Sequence, residues 1–320
     1  MNRYLAVDIG GTRMRAACFP VEGLEPMRLA RIPTRDPERK ETPLERLISL
    51  IRSVWPEDGE VAVISVAAPG PVNPFTSTVL KAPNIPDWVD FPLKLRLEEH
   101  FDAPVILGND ANLAALGEWK YGAGKGHRNM VYLTVSTGIG GGIILNDCLY
   151  LGEQGLAGEI GHTTVIPGGP LCSCGQHGHL EAIASGTAIA RWTQDKLAQG
   201  AASSLPADKP VSTRMIAEAA RTGDKLSIAA LERAGRYIGI ALANLVHIIN
   251  PGAIVIGGGV SQSGAFLFEP IRTALAEHIM NSNYMDELIL TRAVFGDEVG
   301  LVGALALGRT IVPPPPNEHE

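Results

Sequence analysis

Four residues of types that bind zinc-like metals lie within eighteen positions of one another. They are His162, Cys172, Cys174 and His179, spaced H-x9-C-x-C-x4-H. Neutral imidazole and thiolate together suit tetrahedral Zn²⁺. Four protein donors would fill that shell, so the expected site is structural, with no open position for hydrolysis. His177, two residues before His179, competes for the fourth place, and an unmetallated loop with free thiols is the alternative. Gly168, Gly169, Gly175 and Gly178 supply the tight turns a compact metal loop needs. Glu159 and Glu181 flank the cluster, where carboxylates either accept hydrogen bonds from sugar hydroxyls or face solvent.

A second set of residues suits phosphate. In Asp8-Ile-Gly10-Gly11-Thr12, glycines let backbone N–H groups approach phosphate oxygens and Thr12 adds a hydroxyl. Asp8 would hold waters on a phosphate-bound Mg²⁺. The motif is no Walker A loop, which needs Gly-Lys-Ser/Thr opening a helix. A tight hairpin whose glycines serve only positive φ is the bland reading. Two further glycine clusters stand at strand ends, Thr137-Gly138-Ile-Gly140 and Gly257-Gly258-Gly259, and together the three favour a bound nucleotide. Asn109-Asp110 follows an apolar strand, where the crevices of α/β proteins form. Asp110 there can take a proton from a substrate hydroxyl. From local sequence alone, helix capping is the stronger explanation of Asp110.

The elements that must position these residues alternate. Tyr4–Asp8 and Arg15–Phe19 read as strands around the first glycine tip, and Met130–Ser136 and Ile143–Asn146 repeat that pattern around the second. Helices are expected at Leu44–Val54, Leu93–His100, Ala111–Tyr121, Phe268–Met280 and Leu301–Arg309. The longest spans Lys225–Ile249, with Leu231, Ala234, Ile238, Leu242, Leu245 and Ile249 on one stripe and Asn250-Pro251 as its stop. Strands are expected at Val61–Val66, Pro104–Leu107, Ala253–Ile256 and Leu288–Ala293. This alternation predicts an α/β fold with a duplicated core.

Composition narrows the function classes. The 320 residues suffice for roughly two domains. Hydrophobic residues make up 45% and charged residues 19%, too apolar for disorder. A net charge of −7 with no basic run argues against nucleic acid or an anionic membrane as partner. The N-terminus lacks the apolar region of a signal peptide, and no uncharged apolar run is long enough to span a bilayer. Two cysteines one residue apart fit a reducing compartment and a metal better than a disulfide framework, so the cytoplasm is expected.

The ordered motifs resemble the ROK family of repressors and sugar kinases, within the actin-like ATPase superfamily. The resemblance runs from Val7-Asp-Ile-Gly-Gly-Thr12 to Glu298-Val-Gly-Leu-Val-Gly303. Its most specific part is Gly158-Glu-Ile-Gly-His162 followed by Cys172-x-Cys174-Gly-x-x-Gly178-x-x-Glu181. Ala68-Pro-Gly-Pro71, Pro83-Asn84-Ile-Pro86, Gly108-Asn-Asp-Ala-Asn112 and Ile256-Gly-Gly-Gly-Val260 also match.

The resemblance implies a two-lobed, ribonuclease H-like fold with an interlobe cleft. The N-terminal lobe would be 1–115, completed by a helix at 300–312. The C-terminal lobe would be 116–299, followed by a disordered tail at 313–320. It implies ATP-dependent transfer of the γ-phosphoryl group to the 6-hydroxyl of glucose, with Asp110 as general base and Mg²⁺ on the nucleotide. Gly70, Asn84, Asn109, Asp110, Glu159, His162 and Glu181 would line the sugar site. Asp8, Gly10, Gly11, Thr12, Thr137 and Gly138 would meet phosphate, and Gly257, Gly258 and Gly259 the adenosine. Zn²⁺ would sit on His162, Cys172, Cys174 and His179, although the family's usual residue at 179 is Cys. Alternatives are an N-acetylglucosamine or N-acetylmannosamine kinase, or a catalytically weak sugar-sensing regulator. The phosphate tip starts at residue 8, too early for the repressors' helix-turn-helix extension. Relatives imply a homodimer.

Overall fold

The computed structural model describes residues 2–313 except Pro37 and Arg39. The tail expected at 313–320 lies, from residue 314 on, outside the described residues. Two glycine-tipped hairpins, each extended by two parallel strands, organise the chain into two units. The first runs through Gly122 and takes in Leu149–Ala157 and the described residues from Asp297; the second holds Ala123–Cys148 and Gly158–Gly296.

In the first unit, β1 (Asn2–Ile9) and β2 (Arg13–Phe19) pair antiparallel, with Asp8 opposite Arg15. β3 (Arg28–Pro33) pairs beyond β2, and after α1 (Pro43–Ser53) the strand β4 (Glu60–Ala68) lies parallel to β1. A small sheet of β5 (Val72–Asn73), β6 (Thr78–Lys81) and β7 (Val89–Phe91) precedes α2 (Leu93–Glu98). β8 (Val105–Asn109) then pairs parallel to β4 and leads into α3 (Asp110–Tyr121). The sheet order is β3-β2-β1-β4-β8.

β1 reads as an unbroken apolar run because both of its faces are covered. Its side chains alternate between two cores. Leu5, Val7 and Ile9 pack with Leu47, Ile51 and Leu97, whereas Tyr4 and Ala6 pack with Leu113, Leu116, Leu301 and Leu305. A capping box starts α1, with the Glu45 N–H donating to the Thr42 hydroxyl at 3.2 Å and the Thr42 N–H to Glu45 at 2.7 Å.

The second unit repeats the plan. β9 (Met130–Val135) and β10 (Ile139–Leu145) are antiparallel, followed by β11 (Cys148–Leu149). Four helices follow: α4 (Glu181–Ala184), α5 (Gly186–Ala198), α6 (Thr213–Arg221) and α7 (Lys225–Ile249). β12 (Ala253–Gly257) pairs parallel to β9, and after α8 (Ala265–His278) the strand β13 (Ile289–Arg292) pairs parallel to β12. The order β11-β10-β9-β12-β13 reproduces the first sheet's pattern of antiparallel hairpin and parallel strands. The expected duplication is therefore present in the topology. α9 (Val299–Ile311) returns to the first unit and packs on α3. A division at residue 115 would pass through α3, which stays whole in that unit.

On α7, Leu231, Ala234, Ile238 and Leu242 are buried, and Asn250 ends the helix in the left-handed conformation. Its other end is held by Asp224. One oxygen of that carboxylate accepts the Ser227 N–H at 2.8 Å; the other accepts the Ser204 N–H at 2.6 Å and the Ser203 hydroxyl at 2.8 Å. Partial burial opposes ionisation, but the Ser204 and Ser227 N–H groups and the serine hydroxyls hold the carboxyl well below the usual range. A depressed carboxyl contributes stability above its unfolded pKa, near 4, and loses it as pH falls through its folded value. Asp224→Ala should therefore cost about 1–2 kcal/mol at neutral pH, the loss of a helix cap. That cost should shrink as pH falls below about 4. Denaturant unfolding of both proteins at neutral and acid pH checks this.

Candidate active site

The first tip is held by backbone and by Thr34. The Gly10 N–H donates to Arg13 O at 2.9 Å, and Thr34 donates its N–H to Thr12 O at 2.9 Å and its hydroxyl to Gly10 O at 2.6 Å. Neither Gly10 nor Gly11 has a positive φ, so left-handed geometry is not what requires them. Close approach is: a Cβ at Gly11 would lie 2.2 Å from Asn84 Nδ2. The tip and Asn84, expected at the sugar, are thus packed together. Thr12 and Asn84 are exposed.

Asp8 is buried beneath the tip and paired with Arg15, which also reaches Asp297 O. Burial pushes the Asp8 carboxyl up; the Arg15 guanidinium opposes that. One buried carboxylate near a hydroxyl-bearing tip fits Mg²⁺, which keeps most of its waters and takes few protein ligands.

At the β8–α3 junction, two adjacent residues divide two tasks. Asn109 is the cap: its Oδ1 accepts the Ala111 and Asn112 N–H groups at 3.0 and 3.1 Å. Its amide donates to Gly70 O at 2.9 Å. Asp110 is the first residue of α3, exposed, with Oδ1 accepting the Ala111 N–H at 2.8 Å. The capping favoured for Asp110 from local sequence thus falls to its neighbour.

In the second unit, the Thr137-Gly138 tip is fixed to the start of α5. The Gly186 N–H donates to Ser136 O at 2.7 Å and the Thr187 hydroxyl to Thr137 O at 2.6 Å. Gly257 ends β12 and Gly259 begins a short 3₁₀ turn. A cavity of about 720 Å³ opens here, lined by Thr137, Thr187, Thr213, Glu218, Arg221 and Gly259 among others. That volume suits a nucleotide-sized ligand. Thr187, Thr213, Glu218 and Arg221 lie on α5 and α6, helices the sequence reading passed over. The signals were present, in Ser185 and Ser212 as caps accepting the Ala188 and Met215 N–H groups.

The metal-donor set converges. The ligand atoms of His162, Cys172, Cys174 and His179 all lie within 4.8 Å of one another. Cys172 Sγ is 3.6 Å from His162 Nδ1, and Cys174 Sγ is 3.2 Å from His179 Nδ1. Bond lengths of about 2.3 Å to sulfur and about 2.0 Å to nitrogen put tetrahedral donors roughly 3.3–3.8 Å apart. The donor chemistry and spacing fit a divalent cation such as Zn²⁺. His177 turns elsewhere, its Nδ1 donating to Gly169 O at 3.0 Å. Gly178 is what lets the loop close, with φ +76° and a Cβ position 1.7 Å from Ile166 O. Burial pushes the Cys172 thiol up, and a bound cation is what would stabilise its thiolate. Glu159 is exposed, His162 ends the 3₁₀ turn Ile160–His162, and Glu181 opens α4.

Comparison with known proteins agrees over nearly the full chain. The chain is 35% identical to a glucokinase of Streptomyces coelicolor, over 97% of this chain and 98% of that protein. It is 33% identical to an N-acetylmannosamine kinase of Haemophilus influenzae, over 94% of each. The crystal structure of a ROK family glucokinase from Streptomyces griseus in complex with glucose and AMPPNP matches with a TM-score of 0.80 at 34% identity. That match covers 96% of this chain and 99% of that one. The ROK family pattern itself spans residues 4–311, and the chain belongs to the ROK family.

Proposed function

We propose that this chain is an ATP-dependent glucokinase. The observation that carries the mechanism is the β8–α3 junction, where Asn109 caps the helix and the Asp110 carboxylate stands exposed as its first residue. Full-length likeness to glucokinases supports glucose as acceptor. Asp110 takes the proton from the sugar 6-hydroxyl as that oxygen bonds to the γ-phosphorus and the bond to the β-phosphate oxygen breaks. ADP leaves, and the proton passes from Asp110 to solvent. Positioning and charge stabilisation dominate such transfers.

Gly70, Asn84, Asn109, Glu159, His162 and Glu181 supply the sugar contacts, with Gly10, Gly11, Thr12, Thr137 and Gly138 at phosphate and Gly257, Gly258 and Gly259 beside adenosine. Asp8 would help hold a nucleotide-bound Mg²⁺, which would supply charge neutralisation at the phosphates. His162, Cys172, Cys174 and His179 would hold a structural Zn²⁺, and ligation would fix the His162 ring for the sugar. We place the enzyme in the cytoplasm, where ATP is supplied, as a homodimer. No helix among the described residues is long and apolar enough to cross a membrane.

The Haemophilus likeness supports a second reading, N-acetylmannosamine kinase. A coupled ADP-release assay over glucose, mannose, N-acetylglucosamine and N-acetylmannosamine separates the two. The expected result is the highest kcat/KM with glucose and ATP. A higher value for either N-acetyl sugar favours the alternative.

A further inference from the structure

The Glu181 carboxylate is engaged at both oxygens. Oε1 accepts the Ser173 hydroxyl at 2.7 Å, and Oε2 accepts the Ile139 N–H at 3.0 Å. These donors come from different places. Ser173 stands between the two cysteines of the metal-donor set, and Ile139 opens β10 directly after the Thr137-Gly138 tip. A Cβ at Gly138 would lie 2.6 Å from Glu181 Oε2, so glycine is what lets the carboxylate reach the tip. Two carbonyls of the tip are held from α5, Ser136 O by the Gly186 N–H and Thr137 O by the Thr187 hydroxyl. One carboxylate therefore joins the donor loop to the tip.

We infer that Ser173 is a positioning residue: it fixes the Glu181 carboxylate so that one group serves both hexose and phosphate tip, and the two substrates bind with positive coupling. This rests on the glucokinase reading. An ionised carboxylate offers about four lone-pair positions. Three are engaged inside the protein, by the Ser173 hydroxyl, the Ile139 N–H and the Cys172 thiol at 3.8 Å, which leaves one for a sugar hydroxyl. The terminal torsion of a glutamate is broad, so a donor on each oxygen is what sets the carboxylate plane. A hexose bound to Glu181 further restricts it, and through the Ile139 N–H restricts the tip that nucleotide phosphates must order. Ordering that one ligand has already imposed need not be imposed again by the second. By linkage, the nucleotide must then tighten hexose binding by the same factor.

Calorimetry of glucose binding, with and without the non-hydrolysable analogue AMPPNP, tests this on the wild-type protein, Ser173→Ala and Ser173→Thr, with zinc content measured alongside. For wild type, AMPPNP should tighten glucose binding at least roughly 5-fold, within the usual range of coupling. Ser173→Ala should weaken glucose roughly 5- to 10-fold, the loss of a partly exposed hydrogen bond to a charged acceptor. It should also bring the coupling factor close to 1 while leaving zinc content unchanged. Ser173→Thr keeps the hydroxyl and should restore both. Unchanged glucose affinity and coupling in Ser173→Ala would overturn the inference, as would zinc loss in that variant or a wild-type coupling factor of 1. Wild-type protein that binds no glucose would instead remove the glucokinase reading itself.

Discussion

Asp110→Asn should lower kcat for glucose phosphorylation by about 10²–10⁴ while leaving the glucose Kd within about 2-fold of wild type. That rate loss is typical for removal of a positioned base. The substitution keeps the size and shape of the side chain and removes its capacity to take the proton. The amide oxygen can still accept the Ala111 N–H that Asp110 Oδ1 accepts at 2.8 Å. The cap of α3 is Asn109, whose Oδ1 takes two backbone N–H groups. Asn109→Ala provides the contrast. It removes the cap and the bond to Gly70 O, so it should cost about 1 kcal/mol of stability. Stopped assays for kcat and calorimetry for Kd separate the two variants. Near wild-type turnover in Asp110→Asn would reduce Asp110 to a first-turn acid of α3.

The second large effect concerns the Cys/His cluster. His179→Ala should bring zinc well below one ion per chain, and His177→Ala should leave it unchanged, because His177 is engaged with Gly169 O. His179→Cys should retain the metal, since thiolate is an equally good ligand. Losing the ion should loosen residues 158–181 and weaken glucose binding by about 10- to 100-fold, the scale seen when groups orienting a site are removed. AMPPNP should still bind, because the 720 Å³ cavity is walled by α5, α6 and the Gly259 turn. Its coupling to glucose should be lost. Metal analysis and calorimetry decide this, and zinc lost with His177→Ala but kept with His179→Ala would reverse the ligand assignment.

How far these sites could be read from sequence depended on the kind of signal each carried. α7 was legible to its ends because its apolar stripe is long and Asn250 stops it in a left-handed conformation. Both hairpins were legible from their glycines, but the return strand of the second begins at Ile139 rather than Ile143, with three glycines inside it. Close packing, Gly11 on Asn84 and Gly10 on Arg13 O, rather than positive φ explains the first pair. The small sheet β5-β6-β7 was hidden in a stretch rich in Pro and Asn, where strands of two to four residues show no period. β3 alternates half-buried and exposed positions at a sheet edge, and its sequence carries two arginines. α5 and α6 bury faces in which Ala stands among few large apolar residues, and α6 is only nine residues long, so the apolar-stripe reading passed over them and the cavity wall they carry.

The candidate residues fared differently. Cys, His and clustered Gly announce themselves by type, so the metal-donor set could be named before it was seen to converge. The assignment of the α3 cap to Asn109 rather than Asp110 depends on where the helix begins, by a single residue. The Ser173–Glu181–Ile139 chain depends on side-chain direction between a loop, the start of α4 and the start of β10, which spacing does not encode.

Transfer of the γ-phosphoryl group to the glucose 6-hydroxyl can be followed by phosphorus NMR of the purified protein with glucose, ATP and Mg²⁺. ATP and glucose should be consumed in equal amounts, giving ADP and glucose 6-phosphate as the only sugar phosphate. ADP formed with inorganic phosphate and no sugar phosphate, or phosphate on any other hydroxyl, would contradict that transfer.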